Sequence, residues 1–233
     1  MNYEFHWPVL WEYRDLLLEG FWITMFLFVT GVLSSLVLGI VFGILGASHL
    51  RWARALGEIY VEVFRNTPLV VKMFFLYFGA GFDAYESAII GLGLHQSAYL
   101  AEIFRSGIQA IPRGQFEAGF ATGLTRTQVM RRIILPQAGF IVIPPTTTQV
   151  LETLKNTSVA MTISIPELTF QTQQIEAYSF RGFEAATAAT LAYLAVGGIV
   201  GAGAYILEHR LNRKTKSRVT KDMTAMANVT AAA

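Results

Sequence analysis

Long apolar runs separated by short polar and basic stretches organise the chain, and each run is long enough to be a helix. The first covers 21–47, longer than the ~20 residues a bilayer core needs, so it is expected to tilt or project. Within it Gly39 and Gly43 stand four apart and Gly46 follows, a small-residue face that another helix can approach closely. A second run covers 68–82 and opens at Pro68 behind Asn66 or Thr67, with Lys72 expected to snorkel. Between these two, 55–64 reads as an amphipathic helix near the cytoplasmic surface, with Glu58 and Glu62 four apart. The third run, 87–104, carries His95, Tyr99, Glu102 and Ser106 on one helical face. The fourth follows Pro136, is interrupted by Pro144 and Pro145, and is polar in its second half. There Gln149, Glu152 and Asn156 share a face, and Thr148, Glu152 and Lys155 an overlapping one. The fifth, 185–207, contains Gly197, Gly198, Gly201 and Gly203, again a close-packing face.

The connectors set the orientation. Segment 1–20 carries Glu4, Glu12, Asp15 and Glu19 against Arg14 alone, with Trp7, Trp11 and Tyr13 spaced for an interface. Segment 113–136 reads as helix, turn at Gly123 and second helix closed by Pro136, with Arg126, Arg131 and Arg132 marking it as cytoplasmic. Ser164 and Glu167 have the spacing of a capping box opening a polar helix over 167–177. His209, Arg210, Arg213, Lys214, Lys216, Arg218 and Lys221 follow the last run, and an Ala/Thr-rich tail without fixed structure follows them. About five spans with the N-terminus outside and the C-terminus inside satisfy this charge bias. The expected organisation is an extracytoplasmic segment 1–20, a membrane domain 21–207 and a cytoplasmic tail 208–233.

Composition agrees: 53% hydrophobic against 15% charged is too apolar for a soluble chain of 233 residues. There is no cysteine, hence no disulfide or thiolate chemistry. The sequence holds no phosphate-binding loop, metal-ligand cluster or nucleophile arrangement, so an enzyme reading has no support, and a transport cycle driven by ATP needs a separate ATPase. The basic block at 209–221 hugs a membrane exit, which argues against nucleic acid. Arg65 reads as a positive-inside anchor. Ionisable groups inside a span face a bundle interior or a water-filled path, so His95, Tyr99 and Glu102 are either a pathway wall or a structural contact between helices. A helix broken at membrane depth lines a cavity, which adds Gln149, Glu152, Lys155, Asn156, Thr157 and Ser158 as path candidates. Glu152 and Lys155 have a competing role as a mutually neutralising pair, while Asn156, Thr157 and Ser158 offer hydrogen-bonding groups to a zwitterionic solute.

Glu117, Ala118, Gly123, Ile133, Leu135 and Pro136, at these intervals, resemble the EAA loop of binding-protein-dependent ABC importer permeases, with Gly119 standing where that family usually has alanine. Glu62, Phe64, Arg65, Thr67, Pro68 and Leu69, together with 97–107, 112–115 and 154–158, are similar to segments of polar amino acid permeases of the histidine, glutamine and glutamate type. The resemblance implies an all-α, type I ABC importer permease (MetI-like) fold. It assigns coupling to an ATPase to Glu117, Ala118, Gly119, Gly123, Leu124, Thr125, Arg126 and Gln128 within 113–136. It further implies ATP and Mg on the partner ATPase and no cofactor on this chain, a second permease alike or paralogous, a periplasmic substrate-binding protein, and a place in the bacterial inner membrane. A secondary amino acid carrier would instead use Glu102 and Glu152 for ion coupling, and a non-transporting membrane subunit of an enzyme complex would keep only the spans. Neither accounts for the helix-turn-helix at 113–136. Glutamine, arginine, histidine and acidic amino acids are all compatible as cargo.

Overall fold

The structure is a computed structural model that describes residues 3–231 in backbone and 3–210 in side chain, and all its regular elements are helical. A short α1 (Pro8–Glu12) leads into α2 (Arg14–Gly46), around which the other helices pack. Helix α2 buries Gly20, Thr24, Leu27, Gly31, Ser35, Gly39, Gly43 and Gly46, spaced three or four apart. Its large residues Trp22, Leu33 and Val37 are exposed. This reversal of the usual inside and outside suits a helix solvated by lipid, where close backbone approach replaces hydrophobic burial as the force between helices.

The neighbour on that small-residue face is the chain's own α5 (Ala84–Gln109), which opens with a capping box between Asp83 and Glu86. Gly31 faces Leu92, a Cβ on Gly39 would lie 2.6 Å from the Leu100 Cβ, and one on Gly43 would lie 2.9 Å from the Ala101 carbonyl oxygen. Contacts advance in step along both helices, so α2 and α5 run parallel. A carbonyl of a neighbouring helix cannot yield without moving that helix. Gly43→Val is therefore expected to cost about 3 kcal/mol, read as a lowered apparent unfolding temperature. Gly203→Val, where a Cβ meets nothing within 4 Å, is the control. Equal stability of the two variants would refute the α2–α5 packing.

Helix α3 (Arg51–Asn66) covers the expected amphipathic stretch and is exposed over most of its length, at Trp52, Leu56, Ile59 and Val63 among others. Its Ala53, Gly57 and Tyr60 edge is buried; a Cβ on Gly57 would lie 2.6 Å from the Gly46 nitrogen. Tyr60 stacks on Phe42, and its hydroxyl lies 2.6 Å from Ser97 Oγ. The chain then extends through Thr67 and Pro68 before α4 (Leu69–Phe74) and one turn of π-helix (Phe75–Gly79). Proline disfavours a helical conformation in the residue before it, which places the break at Thr67.

Beyond α5, α6 (Arg113–Ala121) and α7 (Arg126–Val129) enclose a turn, and α7 continues through a π-helical turn (Met130–Ile134) into α8 (Leu135–Asn156). Two proline expectations are corrected here. Pro136 does not close the second helix: it sits in the first turn of α8, directly after the widened turn. Pro144 and Pro145 do not interrupt α8 either. The φ that proline imposes is a helical one, so the rod continues although the Phe140 and Ile141 carbonyls lose their i+4 donors. The irregularity comes later, where α8 tightens into a 3₁₀ segment (Thr157–Ile163). Gly107 meets Val142 while Gly31 meets Thr153, so α8 is antiparallel to α2 and α5.

The expected capping box at Ser164 is also corrected. Ser164 adopts left-handed backbone, and Glu167 itself caps α9 (Leu168–Ser179), accepting from the Thr169 and Phe170 N–H groups at 2.9 and 2.8 Å. Glu167 is fully buried, and burial pushes its carboxyl above the ordinary carboxylate range despite those bonds and a third from the Tyr193 hydroxyl. Helix α9 buries Leu168, Gln171, Thr172 and Ile175, and the Leu168 N–H donates to Thr24 Oγ1, so this is a packed element and not a solvated connector. Helix α10 (Gly182–Ala231) completes the bundle. Its buried Glu184 accepts from the Tyr3 hydroxyl and the His6 N–H, which ties the N-terminal segment down. The backbone of α10 stays helical to Ala231 across the stretch expected to lack fixed structure, and the side chains from 211 onward, including the basic residues Arg213 to Lys221, lie outside the described residues.

By length and hydropathy, Arg14–Gly46 and Gly182–Arg210 qualify as membrane-crossing helices, with mean hydropathies of 2.4 and 1.7. Helices α5 and α8 are more polar because they carry the residues described next.

Candidate functional site

Helices α6 and α7 form a protruding helix-turn-helix. Gly123 takes φ +80, a left-handed conformation that lets the chain reverse without a Cβ penalty. Thr125 then caps α7, accepting from the Gln128 N–H while the Gln128 side chain accepts from the Thr125 N–H at 2.9 Å. Of the eight coupling candidates, Glu117, Ala118, Gly123, Thr125 and Arg126 are exposed, Leu124 and Gln128 are half-buried, and Gly119 is buried. Gly119 is buried for a specific reason: a Cβ there would lie 2.8 Å from Val129 Cγ2 and 3.0 Å from Ile133 Cδ1. Glycine at this position lets α6 lie closer to α7 than alanine would. Beneath the turn, Ile111, Val129, Ile134 and Ala138 form a small apolar core that fixes the element to the base of α8. The outer surface of the turn is thus available to another protein, and its inner surface is rigidly joined to a helix that runs unbroken to Asn156.

The path candidates divide between two surfaces. On the first, His95 Nδ1 accepts from the Lys72 ammonium at 2.8 Å, the His95 and Tyr99 rings meet edge to face, and the Arg65 guanidinium lies 5.3 Å over Tyr99. Glu102 accepts twice from Arg105, at 2.9 and 2.6 Å, and once from the Ser106 hydroxyl. The expected stripe is therefore one continuous polar edge, but the sequence did not identify its other wall, which is the polar side of α3. Lys72 is the larger correction. It does not snorkel: it is 6% exposed, and its ammonium also donates to the Phe64 and Thr67 carbonyls at 2.7 Å each. These are the carbonyls left free where α3 ends, so the lysine caps a broken helix from inside the bundle.

On the second surface, Glu152 and Lys155 form the ion pair that their spacing allows. Lys155 and Ser158 line a cavity of about 320 Å³ with Thr169, Thr172, Thr190 and Tyr193. Gln149 and Asn156 are half-buried. Thr157 is fully buried and its hydroxyl donates to the Leu154 carbonyl, while that of Ser158 donates to the Lys155 carbonyl. Thr157 is thereby withdrawn from any passing solute. No hydrogen bond joins the two surfaces among the described residues, and no group of histidine and carboxylates able to hold a metal occurs among them.

The bundle thus presents polar helix edges and, at one end, a protruding helix-turn-helix. The family described as binding-protein-dependent transport system inner membrane component matches residues 35–213, and the chain belongs to it. It is 35% identical over 221 residues to a probable amino-acid ABC transporter permease, PatM, of Vibrio harveyi, covering 91% of this chain and 98% of that one. It is 33% identical over 220 residues to the glutamine transport system permease GlnP of Escherichia coli K12, covering 91% and 99%. Among solved structures, a chain in the crystal structure of an amino acid ABC transporter with histidines superposes with a TM-score of 0.81 at 27% identity, over 90% of this chain and all of that one. A chain of the inward-facing MetNI methionine ABC transporter shares the fold, with a TM-score of 0.70 over 85% and 97%.

Proposed function

We propose that this chain is the permease subunit of an ATP-driven importer that carries a polar amino acid, delivered by a periplasmic binding protein, across the bacterial inner membrane. The observation that carries this is mechanical: the exposed α6–α7 turn is continuous, through α7 and the π-helical turn, with α8, whose far end holds Glu152, Lys155 and Asn156. A partner ATPase gripping Glu117, Ala118, Gly123, Leu124, Thr125, Arg126 and Gln128 moves that rod directly, with Gly119 closing the α6–α7 contact behind them. ATP and Mg reside on the partner. ATP and solute must favour different states of the permease for the cycle to have a direction.

Five passages with the N-terminus outside place α2, α5 and α10 running inward and the α3–α4 passage and α8 running outward; the parallel α2–α5 pair and the antiparallel α8 support that order. Segment 1–20 then lies outside, 21–207 forms the membrane domain with its 113–136 loop on the inner side, and 208–233 lies inside. Both polar surfaces border the path, with His95, Tyr99 and Glu102 on one wall and Gln149, Glu152, Lys155, Asn156 and Ser158 on the other. Lys155 is 63% exposed in its side chain and Glu152 41%, more than a single chain in lipid tolerates. A second permease, alike or paralogous, that covers this face removes the difficulty.

Uptake of L-glutamine, L-histidine and L-glutamate into proteoliposomes, with the cognate ATPase and binding protein, tests the proposal. Uptake of at least one that requires both proteins and hydrolysable ATP is expected. Uptake that proceeds without ATP would make the chain a secondary carrier.

A further inference from the structure

We propose that the cavity between the end of α2 and the α6–α7 turn binds an anionic phospholipid, whose phosphate sits on Arg126 and Arg131 and one of whose acyl chains runs along α8. The cavity has a volume of about 500 Å³. His49, Arg126 and Arg131 give it a cationic lining, and Phe116, Phe120 and Leu135 an apolar one. No carboxylate lines it, and neither arginine makes an ion pair among the described residues. A guanidinium with a free fork of donors receives a phosphate in two parallel bonds. A basic pocket between membrane helices on the cytoplasmic side is the setting in which anionic headgroups are held. Phe120 and Leu135 are exposed, and a lipid covers them where a free phosphate does not.

The α8 face that leaves this cavity is suited to an acyl chain. Leu135 and Val142 are seven residues apart, on one face of the helix and about 10 Å apart along its axis. Between them the face is open at Gly139, where a Cβ would meet nothing within 4 Å. Val142 then lines a further cavity of about 300 Å³ with Leu36, Val150, Val200 and Leu207. Gly31 meets Thr153, and equal steps along the two antiparallel helices bring Leu36 level with Thr148 and His49 level with Leu135. The two cavities therefore follow one seam between α2 and α8, cationic at one end and apolar beyond it, as an anionic lipid is. On α6, Phe116 and Phe120 share a face that Glu117 and Ala118 do not, so the surface offered to the ATPase stays clear of the lipid except at Arg126. Placement at the inner leaflet rests on the topology proposed above, whereas binding does not.

Native mass spectrometry of the full chain, released from detergent micelles, measures binding of dioleoylphosphatidylglycerol and of dioleoylphosphatidylcholine, which has the same chains and no net charge. The anionic lipid is expected to bind about tenfold more tightly or better. Arg131→Gln with His49→Gln should abolish that preference. Arg132→Gln, which removes a neighbouring cation that does not line the cavity, should leave it intact. Gly139→Trp should weaken both lipids and keep the preference. His49, Arg131 and Arg132 are exposed, so unchanged thermal unfolding of their variants excludes misfolding. Equal affinity for the two lipids, or a preference lost as readily with Arg132→Gln, overturns the site. Displacement of the lipid by an equal concentration of glycerol 3-phosphate would make it a site for soluble phosphates, and release on addition of the cognate ATPase would give the cavity to that protein; either overturns the lipid assignment. Binding untouched by Gly139→Trp overturns the path along α8. None of these measurements reads transport, so failure of ATP-driven uptake bears on the importer reading alone.

Discussion

Reversing the charge at Glu117 with lysine is expected to reduce ATP-driven uptake about 100-fold while leaving the permease folded. Glu117 is exposed on α6 and makes no ion pair among the described residues, so the substitution removes no internal contact. Surface changes of that kind alter stability by about 0.5 kcal/mol or less. At a docked interface, however, misplaced charge costs several kcal/mol, and about 3 kcal/mol corresponds to about 100-fold in binding. The measurement is uptake in proteoliposomes beside co-purification of the ATPase. Lost uptake with lost co-purification and unchanged thermal unfolding places the grip at α6. Full uptake by Glu117→Lys would remove Glu117 from the interface.

Lys72→Met is the second large effect, and it acts inside the bundle. The substitution orphans the Phe64 and Thr67 carbonyls and His95 Nδ1 together. An unsatisfied buried polar group costs about 1–3 kcal/mol. Part of that sum is returned because an ammonium no longer has to be held out of water. A net loss of about 3 kcal/mol is expected, or about 6–12 °C in apparent unfolding temperature for a chain of this size. Adding His95→Phe should cost less in the Lys72→Met background than in the wild type, since the imidazole there has already lost its partner. Additive losses, or a Lys72→Met chain as stable as wild type, would mean the lysine reaches the membrane surface instead of the α3 terminus.

Lys72 also marks the limit of sequence reasoning. A lysine in a short apolar run has the same local context whether it snorkels or turns inward, and its acceptors belong to a helix end and to a residue 23 positions away. The prolines teach the same lesson. Pro68 parts two helices, while Pro136, Pro144 and Pro145 lie in a continuous one, although all four remove an N–H. Whether a missing donor breaks a helix depends on what else supports the freed carbonyls and on the packing that holds the rod straight. The polar side of α3 was visible as a pattern, but its destination was not, because amphipathicity reports that two environments exist and not what they are.

Features confined to a single helix or turn were legible from residue order: the apolar runs, the small-residue face of α2, the stripe from His95 to Ser106, the turn at Gly123 and the Glu152–Lys155 pair. Each follows from fixed helical spacing or from the φ that one residue type tolerates. The pairing of α2 with α5, the burial of Glu167 and Glu184, the inward lysine and the separation of the polar residues into two surfaces were not legible. These depend on contacts between residues far apart in the chain, where close approach between glycine-faced helices settles which surfaces meet and which remain open.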